Sequence, residues 1–267
     1  VFKTVKKRWR AGVVAVAALS LGMGALVYTQ GASAATFPTA TGTTKLTATK
    51  AVSGSFDGGL KRFVGSGALG TSGQDEGQDP LFTLADGATL KNVIIGSPAA
   101  DGVHCLGSCT ISNVWWENVG EDAATFKGGA NAKYTVTGGA ANGADDKVFQ
   151  HNGGGALTVS NFAVSDFGKL YRSCGNCKTQ FKRNVVLKNI TATAPGSVLA
   201  GINSNLGDTA TLSGITITGD SKKKIAVCVT FKGNKTGAEP AKLTTQTAAT
   251  GGDGTNCKFS TSNITYK

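Results

Sequence analysis

Eight consecutive residues, Asp145-Asp146-Lys147-Val148-Phe149-Gln150-His151-Asn152, bring two carboxylates, a lysine, an imidazole and two amides together between glycines. Similar clusters recur on either side. Asp101 precedes Gly102-Val103-His104-Cys105, Glu121 and Asp122 follow Gly120, and Lys169 and Arg172 complete the series, with 20–25 residues between clusters. In a solenoid of that period, residues one coil apart lie about 5 Å apart along the axis. The clusters would then share one face, with acids on the earlier coils and bases on the later ones. Stacked acids repel unless a cation lies between them, and hard oxygen donors without a His or Cys majority suit Ca²⁺ rather than zinc. An aligned calcium ion, lysine and arginine suit chemistry on an anionic sugar polymer. Neutralising a uronate carboxylate acidifies the proton at C5, whose removal is the hard step of β-elimination. Lys147 is the expected base and Arg172 the expected carboxylate clamp, with Lys169 a second anion contact. The reverse assignment of Lys147 and Arg172 stays open.

Such an alignment needs a repeating backbone, and the chain carries one. Leu90-Lys-Asn-Val93-Ile-Ile95 is echoed by Ile111-Ser-Asn-Val114-Trp-Trp116, Val159-Ser-Asn-Phe162-Ala-Val164, Leu187-Lys-Asn-Ile190-Thr, Leu212-Ser-Gly-Ile215-Thr-Ile217 and Thr261-Ser-Asn-Ile264-Thr. The apolar residues at 93, 114, 162, 190, 215 and 264 are separated by 21, 48, 28, 25 and 49 residues, so two gaps read as doubled coils. Tyr134-Thr-Val136 fills the first. Short alternating strands at this period predict an all-β, single-stranded parallel β-helix, a solenoid whose coils complete one another's core. The asparagines at 92, 113, 161, 189 and 263 should occupy equivalent turns, their amides satisfying neighbouring backbone groups. Leucine-rich repeats lack support in the Leu spacing, and a β-sandwich would need hairpin turns every 8–12 residues. Ahead of the repeats, Phe56, Leu60, Phe63 and Val64 are expected core contacts, and residues 70–79 a loop carrying Asp75, Glu76 and Asp79. Trp115 and Trp116 cannot both face the core, because strand neighbours alternate.

Composition agrees with many strands and tight turns: 38 of 267 residues are Gly and only 16% are charged, which excludes a helical bundle. Five basic residues in Val1–Arg10, an uncharged apolar run from Ala11 to Val27 and Ala32-Ser33-Ala34 read as a signal peptide over 1–34, leaving one domain over 35–267. Without residues 1–34, 22 basic and 16 acidic residues leave a charge of +6. That balance, dispersed and with few aromatics, favours an extracellular acidic polymer over nucleic acid. The protein is expected to be secreted and monomeric, with no membrane association after cleavage. All six cysteines lie in the exported part. Proximity pairs Cys105–Cys109, Cys174–Cys177 and Cys228–Cys257, with Cys174-Gly-Asn-Cys177 structural rather than redox-active or zinc-binding. His104 and His151 are expected to be structural hydrogen-bonding residues, and Lys222-Lys223-Lys224 a solvated turn.

Longer motifs carry a family resemblance. Asp-Pro-Leu-Phe (79–82), Asp-Gly-Ala-Thr-Leu-Lys-Asn-Val-Ile-Ile-Gly (86–96), Asp-Gly-Val-His-Cys (101–105) and Val-Trp-Trp-Glu-Asn-Val-Gly-Glu-Asp-Ala (114–123) resemble the family 3 polysaccharide lyases, which are secreted pectate lyases. So do Asp-Lys-Val-Phe-Gln-His-Asn (146–152) and Asp-Phe-Gly-Lys-Leu-Tyr-Arg-Ser-Cys-Gly-Asn-Cys (166–177), and the likeness covers 36–267. The resemblance implies a right-handed parallel β-helix and calcium-dependent cleavage of polygalacturonate to 4,5-unsaturated products. It also implies calcium ligands at Asp101, Glu121 and Asp122, and catalytic basic residues at Lys147, Lys169 and Arg172 with Asp146 beside them. Two alternatives make different demands. A hydrolase needs an acid/base carboxylate pair, for which Asp145 and Asp146 are the candidates. A non-catalytic polysaccharide-binding β-helix needs exposed aromatics, for which Trp115, Trp116 and Tyr171 are the candidates.

Overall fold

The coil repeat is set by a corner that each turn takes through a left-handed backbone. Asn92, Asn113, Asn161 and Asn189 have φ of 53–54°, and Gly138 and Gly214 turn the same corner at 66° and 63°. Asparagine tolerates this region because its short polar side chain bonds locally. The two glycines follow from the stack itself, since a Cβ at 214 would lie 2.6 Å from Asn189 Oδ1 and one at 138 would meet Asn113 Oδ1. Where these amides donate, they do so to side chains rather than to backbone: Asn189 Nδ2 donates to Asn161 Oδ1 at 3.1 Å and Asn92 Nδ2 to Asp57 Oδ1 at 3.1 Å. Asn263 is not one of these corners. Its Oδ1 accepts the Ser260 N–H at 2.8 Å and caps a short 3₁₀ turn.

The structure, a computed structural model, describes residues 36–267, so the signal-peptide reading of 1–34 lies outside the described residues. The expected right-handed parallel β-helix is what forms. Strands Ala88–Ile95 and Cys109–Trp116, the first halves of Lys133–His151, Gly155–Ser173 and Arg183–Asn203, and then Thr209–Thr218 stack in parallel on one side. A second parallel stack runs through Lys50–Val52, Phe82–Leu84, Val103–Cys105 and Asp122–Phe126. It continues through the second halves of the long strands and ends in Ala226–Lys232. Aromatic rings pack between the stacks: Phe149 lies 6.2 Å from Trp116, 6.1 Å from Phe126 and 5.2 Å from Phe162 between centroids. Trp116 is fully buried and Trp115 partly exposed, as strand alternation requires. Phe63 and Val64 enter the core and Phe56 packs against it. Leu60 does not join the core, because its φ of 59°, next to Gly59 at 57°, bends its strand at a register irregularity and leaves the side chain partly exposed.

The second long gap is not a doubled coil. Ile215 pairs directly with Ile264, so the intervening residues belong to one enlarged coil. That coil carries Ala226–Lys232 on the second stack and then an antiparallel return strand, Ala241–Gln246. Cys228–Cys257 ties this hairpin to the returning chain, and Cys105–Cys109 and Cys174–Cys177 form as expected.

His151 has the structural role expected of it. It is fully buried, its Nδ1 accepts from Tyr171 OH at 2.9 Å, and its Nε2–H donates to Gly154 O at 3.0 Å. Burial pushes its pKa down to about 3. An unfolded chain therefore binds a proton that the folded one refuses, so this residue's contribution to stability is lost as pH falls below the ordinary histidine value. Between pH 7 and 4.5 the cost is roughly 2.5 kcal/mol. Equilibrium unfolding of the native protein and a His151→Gln variant should diverge in pH dependence by about that amount, with the native protein losing more.

Candidate functional site

Parallel register brings the chemistry-bearing residues into two adjacent columns on the second stack. Asp122 pairs with Lys147, and Lys147 with Lys169. Three residues further along, His104, Thr125, Gln150 and Arg172 form the second column. The coil carrying Asp101 approaches the Asp122 coil closely at Gly102, whose φ is 52° and where any Cβ would collide with the carbonyls of Asp122 and Ala123. Glycine at that position is therefore a condition for bringing Asp101 beside Glu121 and Asp122.

Asp101, Glu121 and Asp122 are 5%, 3% and 2% exposed, and one carboxylate oxygen from each lies within 4.8 Å of the others. Asp101 is oriented by His104, whose Nε2–H donates to Asp101 Oδ2 at 2.6 Å. Lys127 Nζ donates to His104 Nδ1 at 3.0 Å, which leaves the ring proton on Nε2. Thr125 Oγ1 donates to Asp122 Oδ2 at 3.2 Å. The remaining oxygens, Asp101 Oδ1 and Asp122 Oδ1, are buried without a hydrogen-bond partner. A buried carboxylate oxygen left unpaired is costly. Two of them converging with a third carboxylate make an all-oxygen donor set that fits a hard divalent cation.

Lys147 lies beside this cluster, its Nζ 3.2 Å from Glu121 Oε1, 3.8 Å from Asp122 Oδ1 and 3.2 Å from Asp146 Oδ2. Glu76 reaches over from the 70–79 loop to 3.6 Å. Burial pushes the Glu121 carboxyl up to about 7, opposed by Lys147 and reinforced by Asp101. It raises Asp122 well above the usual carboxylate range. Burial alone would lower Lys147, but Asp122, Glu121, Asp146 and Glu76 outweigh it and hold the ammonium strongly protonated. The acids are raised chiefly by burial and then by one another, whereas Lys147 is raised by the surrounding carboxylates against burial. Asp146 is opposed by burial but kept below the ordinary carboxylate value by Lys169 and Lys147.

Arg172 ends the second column at 7% exposure. Its Nη1 donates to Asn203 Oδ1 at 3.2 Å and its guanidinium carbon lies 3.9 Å from the centre of the Phe231 ring. Burial lowers its pKa to about 10, with Glu239 opposing, which leaves it cationic at neutral pH. Glu76, Asp146, Lys147, Lys169, Arg172 and Phe231 line a cleft of about 140 Å³. Gln150 lines it too, with Oε1 buried and unpartnered.

All the expected site residues thus come together. Four contributors were not identified from sequence: Glu76, from a loop noted only for its acids; Asn203 and Phe231, from coils outside the cluster series; and Gln150, noted only as an amide in the central stretch. The carboxylates named for the hydrolytic alternative are not brought together in the cleft, because Asp145 is exposed and outside its lining while Asp146 is held by two lysines. Tyr171, a candidate exposed aromatic, is fully buried. Lys222 and Lys224 border a separate groove of about 390 Å³ without a stacked acid cluster, and Lys223 lies 5.1 Å from the Tyr266 ring centre.

Comparison with known proteins extends this picture. The family model described as "Pectate lyase" matches residues 34–238. The chain is 54% identical over 190 residues to "Probable pectate lyase D" of Aspergillus fumigatus, covering 70% of this chain and 76% of that protein. It is 48% identical over 226 residues to "Pectate lyase E" of Emericella nidulans, covering 84% of each. Among solved structures, the catalytic domain of pectate lyase PelI from Erwinia chrysanthemi superposes with a TM-score of 0.68 at 34% identity, covering 85% of this chain and 98% of that one. PelI in complex with tetragalacturonic acid superposes at 0.69 and 36% identity, covering 84% and 70%.

Proposed function

The chain belongs to the pectate lyase family, and from that premise we propose that it is a secreted, calcium-dependent enzyme cleaving α-1,4-polygalacturonate by β-elimination. The observation that carries the reading is the trio Asp101, Glu121 and Asp122, with two unpartnered buried oxygens, placed against Lys147 in a cleft with Lys169 and Arg172. These three acids would hold Ca²⁺, which when bound supplies a Lewis acid that neutralises a uronate carboxylate and so acidifies the C5 proton.

Arg172 grips a substrate carboxylate through the guanidinium edge not used by Asn203, and Lys169 provides a second cationic contact once a uronate competes with Asp146. Lys147 removes the C5 proton. The C5–H electron pair becomes the C4–C5 double bond, and the glycosidic oxygen departs from C4 with the electrons of its bond. For this Lys147 must be neutral. The carboxylates that keep it protonated are largely those that a divalent cation would engage, and with Glu121 and Asp122 so occupied, burial favours the free amine. Activity should accordingly rise toward alkaline pH. Three disulfides support an oxidising, extracellular setting. The substrate class is supported by PelI, whose structure holds tetragalacturonic acid. The protein acts as a monomer, with both columns of the site drawn from one chain.

The test is direct. Residues 35–267 are incubated with polygalacturonate, and the ultraviolet absorbance of the unsaturated product is followed with calcium and then with excess chelator. Absorbance that grows with calcium and stops with chelator is the expected result. Reducing ends without absorbance would mean hydrolysis, and growth unaffected by chelator would remove the calcium requirement.

A further inference from the structure

Arg172 is nearly buried, yet among the described residues no carboxylate lies within ion-pairing distance of it. A buried guanidinium without a counter-charge is costly, so its position must be determined by other contacts. Phe231 supplies one, with its ring centre 3.9 Å from the guanidinium carbon, a close cation–π contact over one side of the group. Asn203 supplies the other by accepting from Nη1 at 3.2 Å. Asn203 is itself held on two sides, because its Nδ2 donates to Cys174 O at 2.9 Å and its backbone N–H to Asp208 Oδ2 at 3.0 Å.

The backbone leaves room for this arrangement. Arg172 pairs with Gly201 on the next coil, and Asn203 with Phe231 on the one after, so a single stretch of sheet presents floor, bond and ring. A Cβ at Gly201 would lie 3.0 Å from Arg172 Cδ, and one at Gly175 would lie 2.5 Å from Nη2. One side of the guanidinium is covered by the ring and Nη1 is bonded, while Nε and Nη2 have no protein partner among the described residues. Phe231 lies on the hairpin strand that enlarges the last coil, and it lines the cleft.

We propose that Phe231 and Asn203 are positioning residues that hold the Arg172 guanidinium in the position needed to receive a uronate carboxylate, and that the hairpin of the last coil serves the active site by carrying this platform. The proposal rests on the reading of Arg172 as the carboxylate clamp. A displaced clamp loses transition-state binding, because about 1 Å of misplacement costs on the order of a hundredfold.

Phe231→Leu, Phe231→Tyr, Arg172→Ala and the double variant Phe231→Leu/Arg172→Ala are assayed on polygalacturonate at saturating calcium, well below their unfolding temperatures. Phe231→Leu is expected to lower kcat/KM by roughly 10–100-fold, and Phe231→Tyr to stay within about threefold of the native enzyme. In the Arg172→Ala background, Phe231→Leu should change kcat/KM by less than about twofold, because nothing is left to position. A structural role alone would lower the unfolding temperature without this dependence on Arg172. Asn203→Ser, which acts through the Nη1 hydrogen bond instead of the ring, should show the same non-additivity and serves if Phe231→Leu does not fold. Native kcat/KM in folded Phe231→Leu and Asn203→Ser, or losses that add in full to that of Arg172→Ala, would overturn the platform. Native activity in Arg172→Ala would instead overturn the clamp on which the platform depends.

Discussion

Lys147→Met will retain the fold and bind calcium but lose β-elimination. Methionine keeps the length and apolar stem of lysine, so packing against the coil is preserved, while no group remains to take the C5 proton. A general base contributes roughly 10²–10⁴-fold, and kcat should fall by that factor at saturating calcium. Calcium should bind this variant more tightly than the native protein. The Lys147 ammonium, 3.2 Å from Glu121 and 3.8 Å from Asp122, competes electrostatically with any cation for these carboxylates, and removing it removes the competitor. Calorimetric titration and the absorbance assay together separate the two effects. Unchanged kcat would transfer the base role to Arg172 or Lys169. Weaker calcium binding would show that Lys147 supports the acid cluster rather than competing with it.

Asp122→Asn should move activity and stability in opposite directions. The substitution is isosteric but removes one of three buried carboxylates, and the calcium concentration for half-maximal activity should rise on the order of a hundredfold or more. Asp122 has a folded pKa well above its ordinary value, chiefly through burial. The folded state therefore binds the proton more strongly than the unfolded chain, and the carboxylate lowers stability increasingly as pH rises above the unfolded value. Asparagine carries no such penalty. In chelator near pH 7, Asp122→Asn should have a higher unfolding temperature than the native protein, while added calcium should stabilise the native protein far more. Thermal unfolding in chelator and in calcium, alongside the activity titration, tests both halves. A variant less stable than the native protein in chelator would mean that the Lys147–Asp122 attraction exceeds the cost of burying the charge.

The structure also separates what local sequence can report from what it cannot. The corner asparagines at 92, 113, 161 and 189 were legible because a left-handed turn is a local requirement that few residue types meet. Gly214 was placed in that series by its flanking repeat, whereas Gly138 was not, and neither glycine was explained. Their identity answers to Asn113 and Asn189 one coil away, not to their own neighbours in sequence. Asn263 matched the local pattern and still took a different role, because the enlarged last coil returns through a 3₁₀ turn. The interval from 215 to 264 looked like two coils for a related reason: spacing counts residues but does not register an antiparallel hairpin leaving the stack.

Taken alone, the amino-acid sequence determined the coil period, the parallel β architecture and the alignment of Asp122, Lys147 and Lys169, since residues one period apart in a solenoid must be neighbours. Only the tertiary structure decided the electrostatic state of that alignment and the company it keeps. Three carboxylates become an acid-rich, desolvated pocket because the Gly102 coil packs closely enough to exclude water and leave two oxygens unpaired. Glu76 reaches Lys147, and Phe231 and Asn203 reach Arg172, across separations in sequence that no repeat encodes. Charge strength depends on burial, and burial depends on every coil that packs around the site. For that reason the positions of these groups could be read from spacing, while their protonation and orientation could not.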